Sequence, residues 1–387
     1  MRSPGTAGTV ADMNPPLAPR AGSPVSRRDF LKQSTLGTAA LMALGSRAVA
    51  AEPPARKLGV ALVGLGMYST GQLGPALRET RHCRLAGVVT GSPAKGAQWA
   101  RDYGFSEKNV YGYDTMARIA DNPDIDVIYV VTPPGLHAEH AIAAAKTGKH
   151  VICEKPMANS VAECDAIIAA CQAARVRLSI GYRLHFDPYH EELRRLVRTG
   201  EFGPFMKMGG GFAFRMGRLQ WRAEKKLGGG GPLMDLGIYV IQESCMAAGA
   251  KPVAVTAKEL PKARPDFFRD VEEAIEWTME FPNGARSEGF TSYNDGRNEF
   301  RAEAAGGWFE AKPAFNYNGL AGATSKGPLN FNPPVNQQAR QMDDFAQCLL
   351  TGRATPVPGE MGRRDLCIVE AIYASAAAGG KRVEVKA

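Results

Sequence analysis

Between residues 58 and 181 the chain alternates short apolar runs with stretches of helical spacing, and this alternation narrows its fold more than any other feature. The apolar runs are 58–64, Arg84–Val89, Asp126–Val131, His150–Cys153 and Arg177–Gly181. The helical stretches between them are Gly71–Glu79, Ala94–Tyr103, Thr115–Ala120, Ala138–Thr147 and Val161–Ala174. A short run that is apolar throughout suits a strand covered on both faces. Strand and helix in strict succession predict a doubly wound parallel sheet of the α/β class.

The second half changes character. Ile275–Phe281 alternates apolar and polar residues, Pro282-Asn283-Gly284 supplies a turn, and Ala285–Tyr293 returns. That pattern predicts a β-hairpin. Further strands are expected at Val253–Glu259, Phe300–Ala304 and Trp308–Ala311, with helices at Tyr189–Thr199, Leu233–Ala247, Gln337–Leu350 and Gly362–Ala378. Residues 312–336, rich in Pro, Gly and Asn, read as an irregular loop. The expectation is an α+β region, 181–387, built on a large and mostly antiparallel sheet. Its last helices are free to pack back on the 58–180 region.

The first 50 residues read differently again. Ser26-Arg27-Arg28-Asp29-Phe30-Leu31-Lys32 resembles the twin-arginine export signal of bacteria. A modest apolar stretch, Thr35–Leu44, follows, and then the small-x-small pattern Ala48-Val49-Ala50. The apolar stretch is too short to span a bilayer, so no stable anchor is expected. Residues 1–50 are therefore expected to act as a signal for the export machinery, and the rest to reach the periplasm already folded. The net charge of +8 falls to +4 once six basic and two acidic residues of this segment are set aside. No basic run is interleaved with aromatics, which excludes a nucleic-acid role. Seven cysteines with no CxxC pair argue against a disulfide framework or a zinc site.

Gly64-Leu65-Gly66-Met67-Tyr68-Ser69 follows the first strand and opens a helix. In this position the first glycine permits a tight turn, the second lets backbone approach a pyrophosphate, and the helix N-terminus favours the negative charge. The 58–180 region thus reads as a Rossmann domain holding a dinucleotide, with Met67 and Tyr68 beside it. NAD sites place a carboxylate at the end of the second strand to bond the ribose 2′-hydroxyl. Here that stretch is Thr90-Gly91-Ser92-Pro93-Ala94-Lys95, with hydroxyls and a cation. These suit a 2′-phosphate, so NADP is expected over NAD.

Cys153-Glu154-Lys155-Pro156 ends a parallel strand, where ligands bind in such sheets. Asp235 and Tyr239, four apart on an expected helix after the glycine run Gly228–Gly231, share a face. An acid and a phenol facing a lysine can handle the proton of a sugar hydroxyl. A cation about 4 Å from the phenol favours its anion by about 4 kcal/mol at an effective dielectric of 20, so Lys155 nearly suffices if it lies that close.

At this point the chain resembles the family of glucose–fructose oxidoreductase, inositol dehydrogenase and their relatives (Gfo/Idh/MocA). The shared features are Gly64 and Gly66, Thr132-Pro133, His137, Glu154-Lys155-Pro156 and the Gly-Gly-Gly-x-Leu-x-Asp run at 229–235. Gly181-Tyr182-Arg183, His185, Asp187-Pro188, Gln220-Trp221-Arg222 and Tyr239 are most similar to the glucose–fructose oxidoreductase branch. The resemblance implies that Lys155, Asp235 and Tyr239 are catalytic, with Tyr239 as acid/base. It implies tightly held NADP, contacted by Thr132, Pro133, His137, Glu154, Lys155, Arg183, Trp221 and Arg222 besides the glycine turn and Lys95. It places Tyr182, Arg183 and His185 with the catalytic three at the substrate. There are two departures. Pro134 stands where family members often have asparagine, and only Ala51–Lys57 occupy the place of a longer proline-rich arm.

The function expected is oxidation of an aldose at C1 to the lactone, with a second sugar reduced to the alditol in ping-pong fashion. The competing readings are an ordinary NAD(P)-dependent sugar dehydrogenase, a relative that oxidises glycosides at C3, and a sugar- or nucleotide-binding protein without catalysis. A homodimer or larger homo-oligomer is expected, and no metal.

Overall fold

The computed structural model describes residues 56–386, which fold as one compact unit. The export-signal reading lies outside the described residues. Six strands, β1 (Leu58–Val63), β2 (Cys83–Val89), β3 (Val110–Tyr111), β4 (Val127–Val130), β5 (His150–Glu154) and β6 (Leu178–Gly181), form a sheet in the order β3-β2-β1-β4-β5-β6. Every pair in it is parallel. The order reverses at β1, which places a crevice at the C-terminal ends of β1 and β4. β1 and β4 are buried along their whole length, as a sheet covered on both faces requires. Gly59 is forced, because a Cβ there would lie 1.7 Å from the Asp124 carbonyl oxygen.

The helices between these strands begin on caps the sequence supplies. Ser92 accepts from the Lys95 amide, Ser160 from the Glu163 amide, and Asp187 from the Tyr189 amide at the start of helix Pro188–Thr199. Two helix starts differ from a plain α-helix. Ser69–Leu73 and Leu233–Gly237 are π-turns, each running into an α-helix, Gly74–Glu79 and Ile238–Ala248. Both flank the crevice, where π-turns often accompany function.

The second sheet has nine strands: β7 (Lys207–Ala213), β8 (Ala254–Glu259), β9 (Ala274–Glu280), β10 (Arg286–Ser292), β11 (Asn298–Ala304), β12 (Gly307–Ala311), β13 (Gly322–Thr324), β14 (Gly327–Pro328) and β15 (Val383–Glu384). Their order is β14-β13-β12-β11-β7-β10-β9-β8-β15, antiparallel except for the β7–β10 pair. The 275–293 hairpin forms as expected. β7, which carries Gly209-Gly210-Gly211, is not among the expected strands. Its neighbours demand it: a Cβ at Gly210 would come within 2.5 Å of the Glu299 carbonyl. Helix Ile238–Ala248 covers one face of this sheet.

The two closing helices tie the halves together. Helix Gln337–Thr351 buries Met342, Phe345 and Cys348 with Leu58, Val60 and Leu62 of β1. Helix Gly359–Ala377 lies between β8 and helix Val161–Ala173. All seven cysteines are free and buried. No helix among the described residues is long and apolar enough to cross a membrane.

Candidate active site

The glycine turn has the shape a phosphate cradle needs. Gly64 adopts φ +95°, closed to residues with a Cβ, and a Cβ there would press on Thr132 at 3.1 Å. A Cβ at Gly66 would meet nothing within 4 Å, so the space above that backbone is open. Ser69, standing where the third glycine usually falls, is buried and donates its hydroxyl to the Gly64 carbonyl at 2.6 Å, closing the turn. Met67 is exposed and Tyr68 half-buried at the rim. The end of β2 adjoins this turn. Thr90 Oγ1 accepts from the Ser92 amide at 3.2 Å, and Gly91 is open except toward the Tyr113 ring. Lys95 Nζ donates to the Leu65 carbonyl, so it reaches across to the glycine turn. Open backbone at Gly66 and Gly91, a cation between them and no carboxylate at the end of β2 fit a dinucleotide.

Thr132 and Pro133 follow β4 on the far side of the same crevice. Thr132 Oγ1 lies 3.1 Å from His140 Nδ1, and Tyr113 stacks on the His140 ring at 4.9 Å. Pro134 opens a short 3₁₀ turn and lines the cavity, offering no N–H. His137 lines the same cavity, and its ring nitrogens lie against the carbonyls of Pro156 (2.8 Å) and Thr132 (2.7 Å). Burial lowers its pKa to about 4, against the pull of those carbonyls. His137 ties the Thr132 loop to the Pro156 loop.

An open cavity lies where the two sheets meet, with Lys155, Asp235 and Tyr239 in its wall. Lys155 stands just past β5. Its Nζ donates to the Asp235 carbonyl at 2.8 Å and lies 3.4 Å from Asp235 Oδ1. Asp235 Oδ2 accepts from Arg222 Nε at 3.0 Å and from the Tyr293 hydroxyl at 3.2 Å. Burial opposes the Asp235 charge, but Arg222 and Lys155 outweigh it and hold the carboxyl below its ordinary range. Burial likewise opposes the Lys155 charge, and Tyr239, Asp235 and Glu154 overcome it. At Glu154 the pull of Tyr129, Lys155 and Arg183 does not overcome burial. Burial dominates and raises it to about 7, although it accepts from Tyr129 Oη at 2.5 Å.

The position of Asp235 is set from behind. The buried Glu272 carboxylate accepts from the amides of Gly231 and Leu233, each at 3.0 Å, and from Tyr373 Oη at 3.0 Å. A Cβ at Gly231 would sit 2.2 Å from the Glu272 carbonyl, and one at Gly230 2.0 Å from Tyr373 Oη. The glycine run is thus needed for packing as well as for an open cavity wall.

Tyr239 is held on every side. Its ring meets Phe212 edge-on at 5.5 Å and lies 6.1 Å from Phe315. Lys155 Nζ sits over the ring face, 4.7 Å from its centre. The phenol oxygen accepts from Arg183 Nε at 3.2 Å. This changes the expected arrangement: the hydrogen bond to the phenol comes from Arg183, while Lys155 bonds Asp235. Trp221 lines the cavity with the Arg222 guanidinium stacked on it at 4.3 Å.

Two expected substrate contacts are corrected. Tyr182 is buried and donates to Asp365 Oδ2 at 2.6 Å. His185 is buried between Gln242 Oε1 (2.9 Å) and Arg194 Nη1 (3.0 Å), and burial lowers its pKa to about 3. Neither side chain lines the cavity, and nor does Arg183, which is buried and reaches the Tyr239 phenol from a 3₁₀ segment over Arg183–Phe186. Conversely, Tyr293 and Tyr317 are cavity residues that sequence reasoning missed. Tyr293 closes the recognised hairpin. Tyr317 sits in the stretch read as irregular, 4.4 Å from the Arg183 guanidinium. Burial pushes its hydroxyl up to about 12. No group of three or more possible metal ligands occurs among the described residues.

With this geometry in hand, comparison with known proteins is direct. Residues 58–182 match the profile of an oxidoreductase family with an NAD-binding Rossmann fold, and residues 190–307 match the GFO/IDH/MocA C-terminal domain. The aldose–aldose oxidoreductase of Caulobacter crescentus, solved with glycerol, is 42% identical, with 85% of this chain and all of that one aligned and a TM-score of 0.82. The chain belongs to the GFO/IDH/MocA family. The D-xylose 1-dehydrogenase [NADP(+)] of Haloarcula marismortui is 26% identical over 81% of this chain and 89% of its own. Levoglucosan dehydrogenase, solved with NADH and levoglucosan, shares the fold at 23% identity, with 86% of this chain and all of that one aligned (TM-score 0.74).

Proposed function

We propose that the protein is a periplasmic sugar oxidoreductase that keeps NADP(H) bound, oxidises an aldose at C1 to the lactone and reduces a second sugar to the alditol. The observation that carries this is the Lys155–Asp235–Tyr239 cluster in the wall of one cavity beside the glycine turn, with the buried Arg183 hydrogen-bonded to the Tyr239 phenol. Residues 58–180 serve the cofactor and 181–387 the substrate. The turn at Gly64–Tyr68 would hold the pyrophosphate, and Thr90, Ser92 and Lys95 the 2′-phosphate. A nicotinamide bound there supplies the hydride acceptor. Tyr239 takes the proton of the C1 hydroxyl, since its oxygen is fixed and its ring immobilised. Lys155 and Asp235 orient that hydroxyl, and their mutual pairing keeps both charged. Trp221 and Tyr317 wall off the cavity. Similarity to an aldose–aldose oxidoreductase across most of the chain supports a second sugar as the oxidant.

The twin-arginine motif supports export of the folded, loaded protein. An exported enzyme has no free nicotinamide pool, so its cofactor must be regenerated in place, and ping-pong kinetics follow. The exposed face of the nine-stranded sheet would pair two copies. A second reading, a dehydrogenase with exchangeable NADP, is favoured by the resemblance to D-xylose 1-dehydrogenase [NADP(+)]. An absorbance spectrum of the purified protein decides between them. A nicotinamide band that rises with an aldose and falls with a second sugar supports the resident cofactor. Turnover only with stoichiometric added NADP supports the dehydrogenase.

A further inference from the structure

Arg183 is almost fully buried, and its hydrogen-bond acceptors are the Phe315 carbonyl (2.5 Å), the Asn316 carbonyl (2.9 Å), Gln337 Oε1 and the Tyr239 phenol (3.2 Å). None is a carboxylate. The nearest one in this chain of contacts is Asp187, a step removed, which accepts from Gln337 Nε2 at 3.0 Å; Glu154 feels the Arg183 charge but makes no hydrogen bond or ion pair with it. A buried cation without a paired anion is costly, and the cost falls when a neighbour ionises. Among the four acceptors only the phenol can ionise. Burial opposes the Arg183 charge, and the phenols of Tyr239, Tyr317 and Tyr68 favour it. Lys155 also faces Tyr239, but its ammonium bonds Asp235 and covers the ring face, so only Arg183 hydrogen-bonds the phenol oxygen.

We infer that Arg183 is the positioning residue for proton transfer at Tyr239: it fixes the phenol oxygen and supplies the positive charge that its anion neutralises. This rests on the reading of Tyr239 as the acid/base. The proton leaves the sugar hydroxyl for the phenolate oxygen and returns from the phenol when the second sugar is reduced, so Arg183 gains and loses its anionic partner once per cycle. The guanidinium stays protonated throughout. It also ties residues 314–317 to this cycle, because the same group grips the carbonyls that precede Tyr317.

Two measurements test it on the full-length protein. In the first, phenolate absorbance is followed against pH for wild type, Arg183→Met and Arg183→Lys. Each is compared with the same protein carrying Tyr239→Phe, so that the Tyr239 signal is isolated. Arg183→Met should move that signal to higher pH by about one unit or more, and Arg183→Lys by less. A signal that stays in place in Arg183→Met overturns the inference. In the second, the pH profile of kcat/KM for sugar oxidation is recorded. The acid limb should shift upward in Arg183→Met, with the rate largely regained at alkaline pH. An equal loss at every pH means that Arg183 only packs residues 314–317, and overturns it as well. Should Arg183→Met fail to fold, Arg183→Lys carries the same test through its smaller shift. Should wild type turn over no sugar, the proposed function fails, and the absorbance titration still decides the role of Arg183.

Discussion

Replacing Asp235 with Asn removes the anion on which two cations converge. Arg222 Nε and Lys155 Nζ approach its carboxylate at 3.0 and 3.4 Å, and Tyr293 Oη donates at 3.2 Å. The side chains of Asp235, Lys155 and Arg222 are 19%, 12% and 24% exposed, so water screens the pairing only in part. Stripping one partner from a largely buried pair costs about 3 kcal/mol. For a unit of this size that lowers the melting temperature by about 4 °C. The pH dependence has a definite sign. A carboxyl held below its ordinary range contributes stability above its unfolded value, about 3.9, and loses it only as pH falls further. The deficit of Asp235→Asn should therefore be constant in urea unfolding from near-neutral pH down to mildly acidic pH. Turnover of a sugar substrate should fall by roughly a hundredfold or more, since Lys155 loses its orienting partner. A variant that melts with the wild type refutes the reasoning. So does a deficit that disappears near neutral pH, for it would mean Asp235 already carries a proton.

Four further outcomes are expected. Burial raises Glu154 from the usual 4.5 to about 7, so the fold keeps a proton that the unfolded chain has released, and stability falls as pH rises through this window. Glu154→Gln should abolish that slope, worth about 3 kcal/mol relative to wild type, and parallel urea midpoints across the window would contradict it. Tyr182→Phe should lose about 2 kcal/mol of stability, by removing the donor to Asp365, while kcat/KM stays within a few fold. A selective rise in sugar KM would restore Tyr182 to the substrate site. Gly231→Ala should cost about 3 kcal/mol or more in a thermal melt, because its Cβ meets the Glu272 carbonyl at 2.2 Å. Lys95→Ala should weaken NADP binding about tenfold, read by fluorescence titration, and leave NAD unchanged. An equal loss for both cofactors would assign Lys95 only to holding the Leu65 carbonyl.

The parallel sheet was the most legible part of the fold, for a physical reason. Strands buried on both faces leave apolar runs, and their helices start on Ser and Asp caps that a reader can see. The hairpin at 274–292 was legible because one face is wet and the other dry, which writes itself as alternation. β7 was not, because its Gly209-Gly210-Gly211 run is chosen by contact. At Gly209 and Gly210 the Glu288 carbonyl of β10 and the backbone of β11 come too close to leave room for side chains. Glycine in a strand then reports a neighbour that no local pattern contains. The π-turn at Leu233–Gly237 is of the same kind. It is shaped by Glu272, which lies some forty residues away and accepts from the amide of Leu233, its first residue, and from that of Gly231 just before it.

The site divides along the same line. Lys155, Asp235 and Tyr239 were found because each follows a local landmark: a strand end, a glycine run, a spacing of four. The order of the contacts among them was not, because direction depends on backbone that local spacing does not fix. Tyr182, Arg183 and His185 are sequence neighbours with equal claim to the cavity. A 3₁₀ turn over Arg183–Phe186 sends the phenol of Tyr182 to Asp365 and the imidazole of His185 to Gln242. Only the guanidinium between them is aimed at Tyr239. Lys155, the cation expected at the phenol, is captured by Asp235 instead. Two cations within reach of one phenol are thereby given different places. One keeps Asp235 ionised and covers the ring, and the other hydrogen-bonds the phenol oxygen.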